Sequence, residues 1–519
     1  MASFTPLLAR DFTPNAAAHL LWRAGFGGTW QEAVELADLG LDSAVDRLVF
    51  YEPSVNLPAP ECASLPEESS RAFEERLRGI PDEEIRQSER RLRQERERAQ
   101  IRDLKLWWLD RMVSSSLSNS GIPPLEEKLT LFWHSHFATG YEDKIQATFP
   151  LWQQNQMLRA LAIRPLPDQL NALIRDPAML VWLDNASSHR NNPNENFARE
   201  LMELFSMGVG PYSEKDVKES ARAFTGYSTD RETWTFQFRE GAHDPGEKTF
   251  FGQTGPFRGE DIVRIICEHP STATFMTRKF LQFFACTNPE EGIVEALADG
   301  YRSSSYNLRD LLRSLFRSQY FYSQVTTNAV VKSPVCLALG ALKTMRSPMP
   351  KDEVFLGVLR VMGQDLFFPP DVNGWPGGGD WINSNTLLIR YNFANFLMHG
   401  VSADEFKTLD RKTVDRTLSR REFVTSERKL ATVDWEPADY LKSSGEIRRM
   451  LTSKDIVDYF IREFLQREPS RDLRAALIQL AETDGAGGRR PISVRDSNFN
   501  ERARGLVHLI MSSPDYQLC

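Results

Sequence analysis

The chain has 519 residues, 41% hydrophobic and 26% charged, with a formal net charge of −8. That is ordinary globular composition, with enough length for a large core in about two to four domains or one elaborate one. The mild acidity lacks the basic footprint of a nucleic-acid binder, because Glu interleaves with the local Arg clusters. No apolar run reaches the roughly 20 residues a membrane span needs. Residues 1–23 lack a basic start, an apolar core and a small-residue cleavage site, so the expected location is cytoplasmic. The five cysteines, Cys62, Cys267, Cys286, Cys336 and Cys519, form no close pair, which argues against a disulfide framework or a zinc knuckle.

Helical spacing dominates from the start. Ala18, Leu21, Trp22 and Phe26 recur at three and four until Gly27-Gly28. Thr29 caps a second helix with Ala33, Leu36, Leu39 and Leu41 on its apolar side. Residues 52–70 are Pro-rich and polar, a surface linker. One long helix is expected over 81–113, alternating Glu and Arg through Gln100 and ending apolar at Leu104-Lys-Leu-Trp-Trp-Leu. Glu–Arg pairs at i,i+4 hold such a helix in water, and its charged part over 81–100 is a candidate surface for a protein partner. Further helices are expected over 124–137, 149–163, 167–174, 194–207, 214–225, 260–285, 290–302, 307–318, 328–346, 352–362, 384–398, 453–466, 470–483 and 497–512. Ser213 and Asn307 are caps. Thr233-Trp-Thr-Phe-Gln-Phe-Arg239 alternates in the β manner, so a hairpin is expected near 232–251. The fold class is mainly α: a large multi-helix globular fold with one small β-hairpin insertion. The expected organisation is a main body over 1–400, a charged insertion over 401–450 and C-terminal helices over 451–519 packing on the body.

Four constellations carry chemistry-bearing residues. In Pro193-Asn-Glu-Asn-Phe-Ala-Arg-Glu-Leu-Met-Glu-Leu-Phe-Ser-Met-Gly208, Asn194 is a good N-cap and Gly208 a good stop. Asn196, Arg199, Glu200 and Glu203 fill one arc about 100° wide opposite the apolar side. Arg199 has i,i+4 partners in Glu195 and Glu203. A plain amphipathic helix explains such a stripe, but the lack of Lys and the mixture of Asn, Arg and Glu suit a pocket wall. The second, Leu131-Phe-Trp-His-Ser-His-Phe137, places two histidines about 200° apart on a helix. They share a metal only if the helix ends there; otherwise each is a core histidine. The third, His243-Asp-Pro-Gly-Glu-Lys248, offers a titratable pair and a cation on a turn, or an Asp-stabilised turn alone. The fourth runs from Phe367 to Trp381 and is too rich in Gly, Pro and Trp for a regular element. Trp375 and Trp381 there are stacking platforms or packed aromatics, and Asp371 is a candidate acid or base.

Together with His19-Leu-Leu-Trp-Arg-Ala-Gly-Phe-Gly27 and Glu268-His-Pro-Ser-Thr-Ala273, these segments resemble the bacterial domain-of-unknown-function 1800 family. The resemblance covers about 14–515, and its motif residues fall on the positions named above, Asn194, Glu195, Lys248 and Asn373 included. It implies no particular activity. It does imply gene neighbourhoods with sulfatase-like secreted proteins and export of many members, from which this chain departs by lacking a visible export signal.

Scattered His, Glu, Asp and Asn at motif positions favour a site assembled from several segments, since buried polar groups cost free energy unless paired. The first expectation is a hydrolase acting on a polar polymer such as a glycan. Glu200 or Glu203 would work with Asp244 or Asp371 as acid and base, about 5–5.5 Å apart if retaining or 6.5–9.5 Å if inverting. Arg199 would keep one carboxylate ionised, Trp375 or Trp381 would stack on the sugar, and Asn196, Lys248 and Asn373 would supply further substrate contacts. The second is an enzyme with a divalent metal as cofactor, ligated by His134, His136 and His243 with Glu200. The third is a non-enzymatic scaffold or maturation partner docking through 81–100 and 403–447.

Overall fold

The computed structural model describes residues 4–65, 68–117, 121–142, 144–350, 353–399, 433–484 and 488–519. It is mainly helical, with two short two-stranded antiparallel sheets. Helix α1 (Pro14–Ala24) is capped by Thr13, and α2 (Trp30–Asp38) opens in a capping box between Thr29 and Glu32. Leu41 does not continue α2. Gly40, at φ 77°, turns the chain into α3 (Leu41–Val49).

The end of the expected linker folds as α4 (Ser70–Arg78), which forms a hairpin with α5 (Glu83–Val113). Arg76–Glu89 at 3.2 Å and Arg90–Glu74 at 3.1 Å cross it, and Arg93 lies over the ring of Phe73. From Ile101 onward, Leu104, Trp108, Leu109 and Met112 enter the core. The charged arm with a docked end is therefore present, and several of its charges are satisfied within the hairpin.

Helix α6 (Pro124–His136) is buried on almost every side. Helices α7 (Thr148–Ala160), α8 (Leu166–Leu173) and α9 (Pro177–Trp182) follow it. Asp176 caps α9 by accepting from Met179 N–H and takes a second hydrogen bond from Gln154 Nε2 at 2.7 Å. Burial outweighs both bonds and pushes its carboxyl up to about 7. A folded-state pKa above the unfolded value gives stability that is present at low pH and lost as pH rises from about 4 through 7. Asp176→Asn should therefore leave the melting temperature little changed at pH 4 and raise it relative to wild type at pH 8. A difference that does not grow with pH would contradict this.

Helix α10 (Glu195–Glu203) and α11 (Glu214–Ala223) precede the sheets. The expected single hairpin is two. Strand β1 (Tyr227–Asp230) pairs with β2 (Thr235–Phe238) in the register Tyr227↔Phe238, and β3 (Lys248–Phe250) pairs with β4 (Gln253–Gly255). The alternating stretch thus pairs backward, because Gly252, at φ 76°, lets 248–255 close on itself.

The 260–285 pattern is also two helices, α12 (Gly259–Glu268) and α13 (Pro270–Phe284). Pro270 cannot donate into a continuing helix, and it starts the second one with His269 in the β region. Then come α14 (Glu291–Ser303), α15 (Leu308–Arg317), α16 (Pro334–Met345), α17 (Glu353–Val361) and α18 (Ser384–His399). Helix α16 starts later than expected, because Ser333 is its cap and Pro334 its first residue. The expected insertion lies outside the described residues over 400–432. Its end forms α19 (Pro437–Ser443), followed by α20 (Ser453–Phe460), α21 (Arg471–Glu482) and α22 (Phe499–Met511). A single π-helical turn over Ile461–Leu465 ends at Gln466, in the left-handed region at φ 58°. The last residues return to the body: Cys519 N–H donates to the Val330 carbonyl at 3.0 Å. No described helix is long and apolar enough to cross a membrane.

Candidate functional site

The first constellation forms one face, but its pairing differs from expectation. The Asn194 side chain caps α10 at Asn196 N–H, and its Nδ2 donates to the Asp184 carbonyl. Asn196 Nδ2 reaches the Leu183 carbonyl. Arg199 pairs with Glu195 at 3.6 Å and makes two 2.8 Å bonds to Glu214. It makes no ion pair with Glu203, which accepts the Tyr212 hydroxyl at 2.5 Å instead. Glu214 captures the guanidinium because it opens the neighbouring helix and meets both of its donors at once. Half-burial raises the Glu200 carboxyl, and Glu203 beside it adds to the shift. Among the described residues the Glu200 side chain has no hydrogen-bond partner.

The three histidines stay apart. His134 Nε2 accepts from Phe367 N–H at 3.2 Å, with its ring between Trp108, Phe367 and Trp375. The His136 ring stacks on Phe132, and its Nε2–H donates to the Phe205 carbonyl at 3.0 Å. Burial takes both down to about 3, so neither is charged near neutrality. His243 Nδ1–H donates to the Thr225 carbonyl at 2.9 Å. Among the described residues no three His, Cys, Asp or Glu side chains are placed to hold a metal ion. The expected set of His134, His136, His243 and Glu200 is not assembled. The physical reason is that α6 continues through His136, which keeps its two histidines on opposite faces.

In the third constellation Asp244 accepts Arg222 Nε at 2.7 Å and Gly246 N–H at 2.8 Å, and Lys248 Nζ donates to the Asp244 and Gly246 carbonyls. Both charged groups hold the turn. In the fourth, Asp371 is exposed and accepts Asn373 N–H at 2.7 Å in a local turn. The motifs do touch. His136 reaches the end of the α10 segment, and His134 and Ser135 support the Phe367–Trp375 loop. Of the four expected catalytic carboxylates, Glu200 and Glu203 lie together, while Asp244 and Asp371 are each engaged in their own turns.

The tryptophans of that fourth loop lie elsewhere. Trp375, Trp381 and Gly378 line a cavity of about 120 Å³ with Arg23, Lys128 and Lys332. A second cavity of about 490 Å³ shares Trp22, Lys332 and Cys519 with it and adds His19, Asn15 and Gln466. None of Glu200, Glu203, Asp244 or Asp371 lines either space.

Trp22 is the fixed wall. Its Nε1 donates to Gln466 Oε1 at 2.9 Å, and Gln466 Nε2 donates to the Gly28 carbonyl at 2.7 Å. Gly27 and Gly340 form its flat bed: a Cβ at Gly340 would lie 2.1 Å from the indole. Over the indole sits the Lys332 ammonium, 3.7 Å from the Trp22 ring centre and 3.9 Å from that of Tyr516. His19, buried with Nε2 at 3.0 Å from the Phe321 carbonyl, is driven down to about 3, first by burial and then by Arg23.

A family model described as a protein of unknown function (DUF1800) matches residues 19–518. The chain belongs to the DUF1800 family. No curated protein and no solved structure matches it.

In this DUF1800 chain, Trp375 and Trp381, read from the sequence as stacking platforms or packed aromatics, are buried and line the smaller cavity beside Arg23, Lys128 and Lys332, which the sequence did not single out. One signal was available: Arg23 lies inside the His19–Gly27 motif, on a helix whose neighbours are almost all apolar. A cation in such a run is buried and needs a partner. Lys332-Ser-Pro334 carries a helix-start signal but nothing that marks its lysine as interior.

Proposed function

We propose that this protein is a ligand-binding enzyme. It takes a polar small molecule, or the end of a polar polymer, into the space between α1, the 330–333 segment and the 375–381 loop. The observation that supports the reading is that these three segments, far apart in sequence, wall one pair of adjoining cavities with aromatic faces and a few polar groups. That is the usual construction of a small-molecule site. Trp375 and Trp381 keep the stacking role read from the sequence, joined by Trp22.

A second reading places carboxylate hydrolysis on α10, with a glycan on its surface. It is favoured by the unlike environments of Glu200, raised and without a hydrogen-bond partner, and Glu203, bonded to Tyr212. Acid–base catalysis uses neighbouring carboxyl groups held in unlike surroundings.

Thermal-shift screening of neutral, phosphorylated and carboxylated sugars and metabolites separates the two. Ala16 lines the larger cavity. On the first reading, Ala16→Trp lowers the affinity of every hit about tenfold or more, a loss of about 1.4 kcal/mol, while Glu200→Gln and Glu203→Gln leave it unchanged. The reverse pattern supports the α10 face and overturns the cavity. No hit with the full chain counts against both.

A further inference from the structure

Four cations of this chain lie in one neighbourhood almost without solvent contact: Arg23 is 2% exposed, Lys128 5%, Lys332 4% and Arg390 1%. None of them has an acidic side-chain partner among the described residues. Arg23 donates to the Ala285 and Thr326 carbonyls and lies 3.7 Å from Cys519 Sγ. Lys128 Nζ meets the Trp22 carbonyl at 3.4 Å and Cys336 Sγ at 3.0 Å. Arg390 donates to Gln517 and to the Lys332 carbonyl. Lys332 has only the Trp22 and Tyr516 ring faces. Of the other buried cations among the described residues, Arg159 pairs with Glu127 and Lys105 with Asp365, while Lys248 donates to the Asp244 and Gly246 carbonyls.

Leaving ionised groups buried without counter-charge is costly, and proteins otherwise avoid it. Three of these four cations, Arg23, Lys128 and Lys332, line one cavity, which marks a site whose counter-charge arrives from outside. Arg23, on the wall of the smaller cavity, also keeps its buried Nε without a hydrogen-bond partner. The smaller cavity, with Arg23, Lys128 and Lys332 on its wall, has no Asp or Glu lining it. Ser333 and Cys336, at the start of α16, also line it.

Resting on the ligand-binding reading above, we infer that the smaller cavity takes the oxyanion of the ligand, a phosphate, sulfate or carboxylate. Arg23, Lys128 and Lys332 hold the anion. The larger cavity takes the uncharged remainder against Trp22, Asn15 and Asn328. Lys332 lines both cavities and so sits where the charged and uncharged parts of the ligand join. Burial, with Arg467 and Arg390 nearby, brings Lys332 down to about 7, so an arriving anion also draws a proton onto it.

Isothermal titration calorimetry with 4-nitrophenyl phosphate, 4-nitrophenyl sulfate, 4-nitrobenzoate and neutral 4-nitrobenzyl alcohol tests this on wild type, Lys332→Met and Arg23→Gln. An anionic probe should bind wild type at least about tenfold more tightly than the alcohol, and the preference among the three names the oxyanion. Lys332→Met should lose at least tenfold of that affinity while melting no lower than wild type, because it removes an uncompensated buried charge. Arg23→Gln guards against a peculiarity of one variant. Equal affinity for the alcohol and the anions overturns the inference but leaves the cavity as a ligand site. Unchanged anion binding in Lys332→Met overturns it too, and no probe binding to wild type overturns both readings. Anion binding that appears only in a Cys336→Ser, Cys519→Ser double variant identifies the thiols as internal counter-charge and also overturns the inference.

Discussion

Gly374→Ala is expected to destabilise the protein by about 3 kcal/mol or more and to loosen the cavity wall that Trp375 supplies. Gly374 sits at φ 79°, where an L side chain is strained, and its Cβ would lie 2.0 Å from the Ser135 carbonyl oxygen and 2.9 Å from the carbonyl carbon. Backbone strain of this kind costs of order 1–3 kcal/mol. The clash adds to it, because the opposing atoms are backbone of the buried helix α6 and cannot swing aside. The loop must lift, uncovering His134, whose Nε2 is satisfied only by Phe367 of that loop. Gly377, three residues on, is the control: its φ is −121° and nothing lies within 4 Å of its Cβ. Gly377→Ala should be neutral within about 0.5 kcal/mol. Urea unfolding of both variants checks this, and similar values for the two would contradict it.

Glu127→Gln is expected to cost about 3–5 kcal/mol. Glu127 is fully buried. Its carboxylate accepts Arg159 Nε at 2.8 Å and a second Arg159 nitrogen at 3.0 Å, Arg111 Nε at 2.9 Å and Trp108 Nε1 at 2.9 Å. Burial acts to raise its pKa, but the two arginines outweigh burial and hold it below the ordinary range. An amide would turn a donor toward donors, strip Arg159 of its paired carboxylate and leave Arg111 only the more distant Glu126, at 3.8 Å. The adjacent Glu126 makes the contrast. Burial raises its carboxyl, and its main partner is Ser54, at 2.5 Å to N–H and 2.6 Å to the hydroxyl. Glu126→Gln should therefore cost much less, about 1–2 kcal/mol, the range for a neutral hydrogen bond disturbed in a buried place. Comparable losses for the two would show that position, not the arginine network, sets the cost.

The helices were largely legible because their start signals are local. Thr29, Asn194, Ser213 and Asn307 all accept from backbone N–H groups where their spacing implied. The misplaced boundaries have equally local causes that periodicity alone overlooks. Pro270 and Ser333-Pro334 set helix starts inside continuous apolar patterns, and Gly40 divides another. The stop at Gly208 was visible, since it adopts φ 81°. The helix itself ends earlier, at Glu203, because Phe205 N–H donates to the Glu200 carbonyl and Gly208 N–H to that of Met202.

The candidate site was legible only in part, for a different reason. The four polar residues of α10 do share a face, as helical geometry requires. Which charge meets which is a tertiary fact, and Glu214 took the arginine expected to serve Glu203. The cavity could not be read from charge pattern either. Lys332 and Lys128 resemble surface lysines in sequence. Only the assembled structure places them beside Arg23 with Trp22 and no acid between them.

The most direct test of this account is anomalous diffraction from crystals soaked in tungstate, a heavy tetrahedral oxyanion. A strong peak is expected in the smaller cavity, which Arg23, Lys128, Lys332 and Trp375 line, and its loss is expected in Lys332→Met. Peaks confined to the protein surface or to the Arg199 face of α10, with that cavity holding only water, would contradict it.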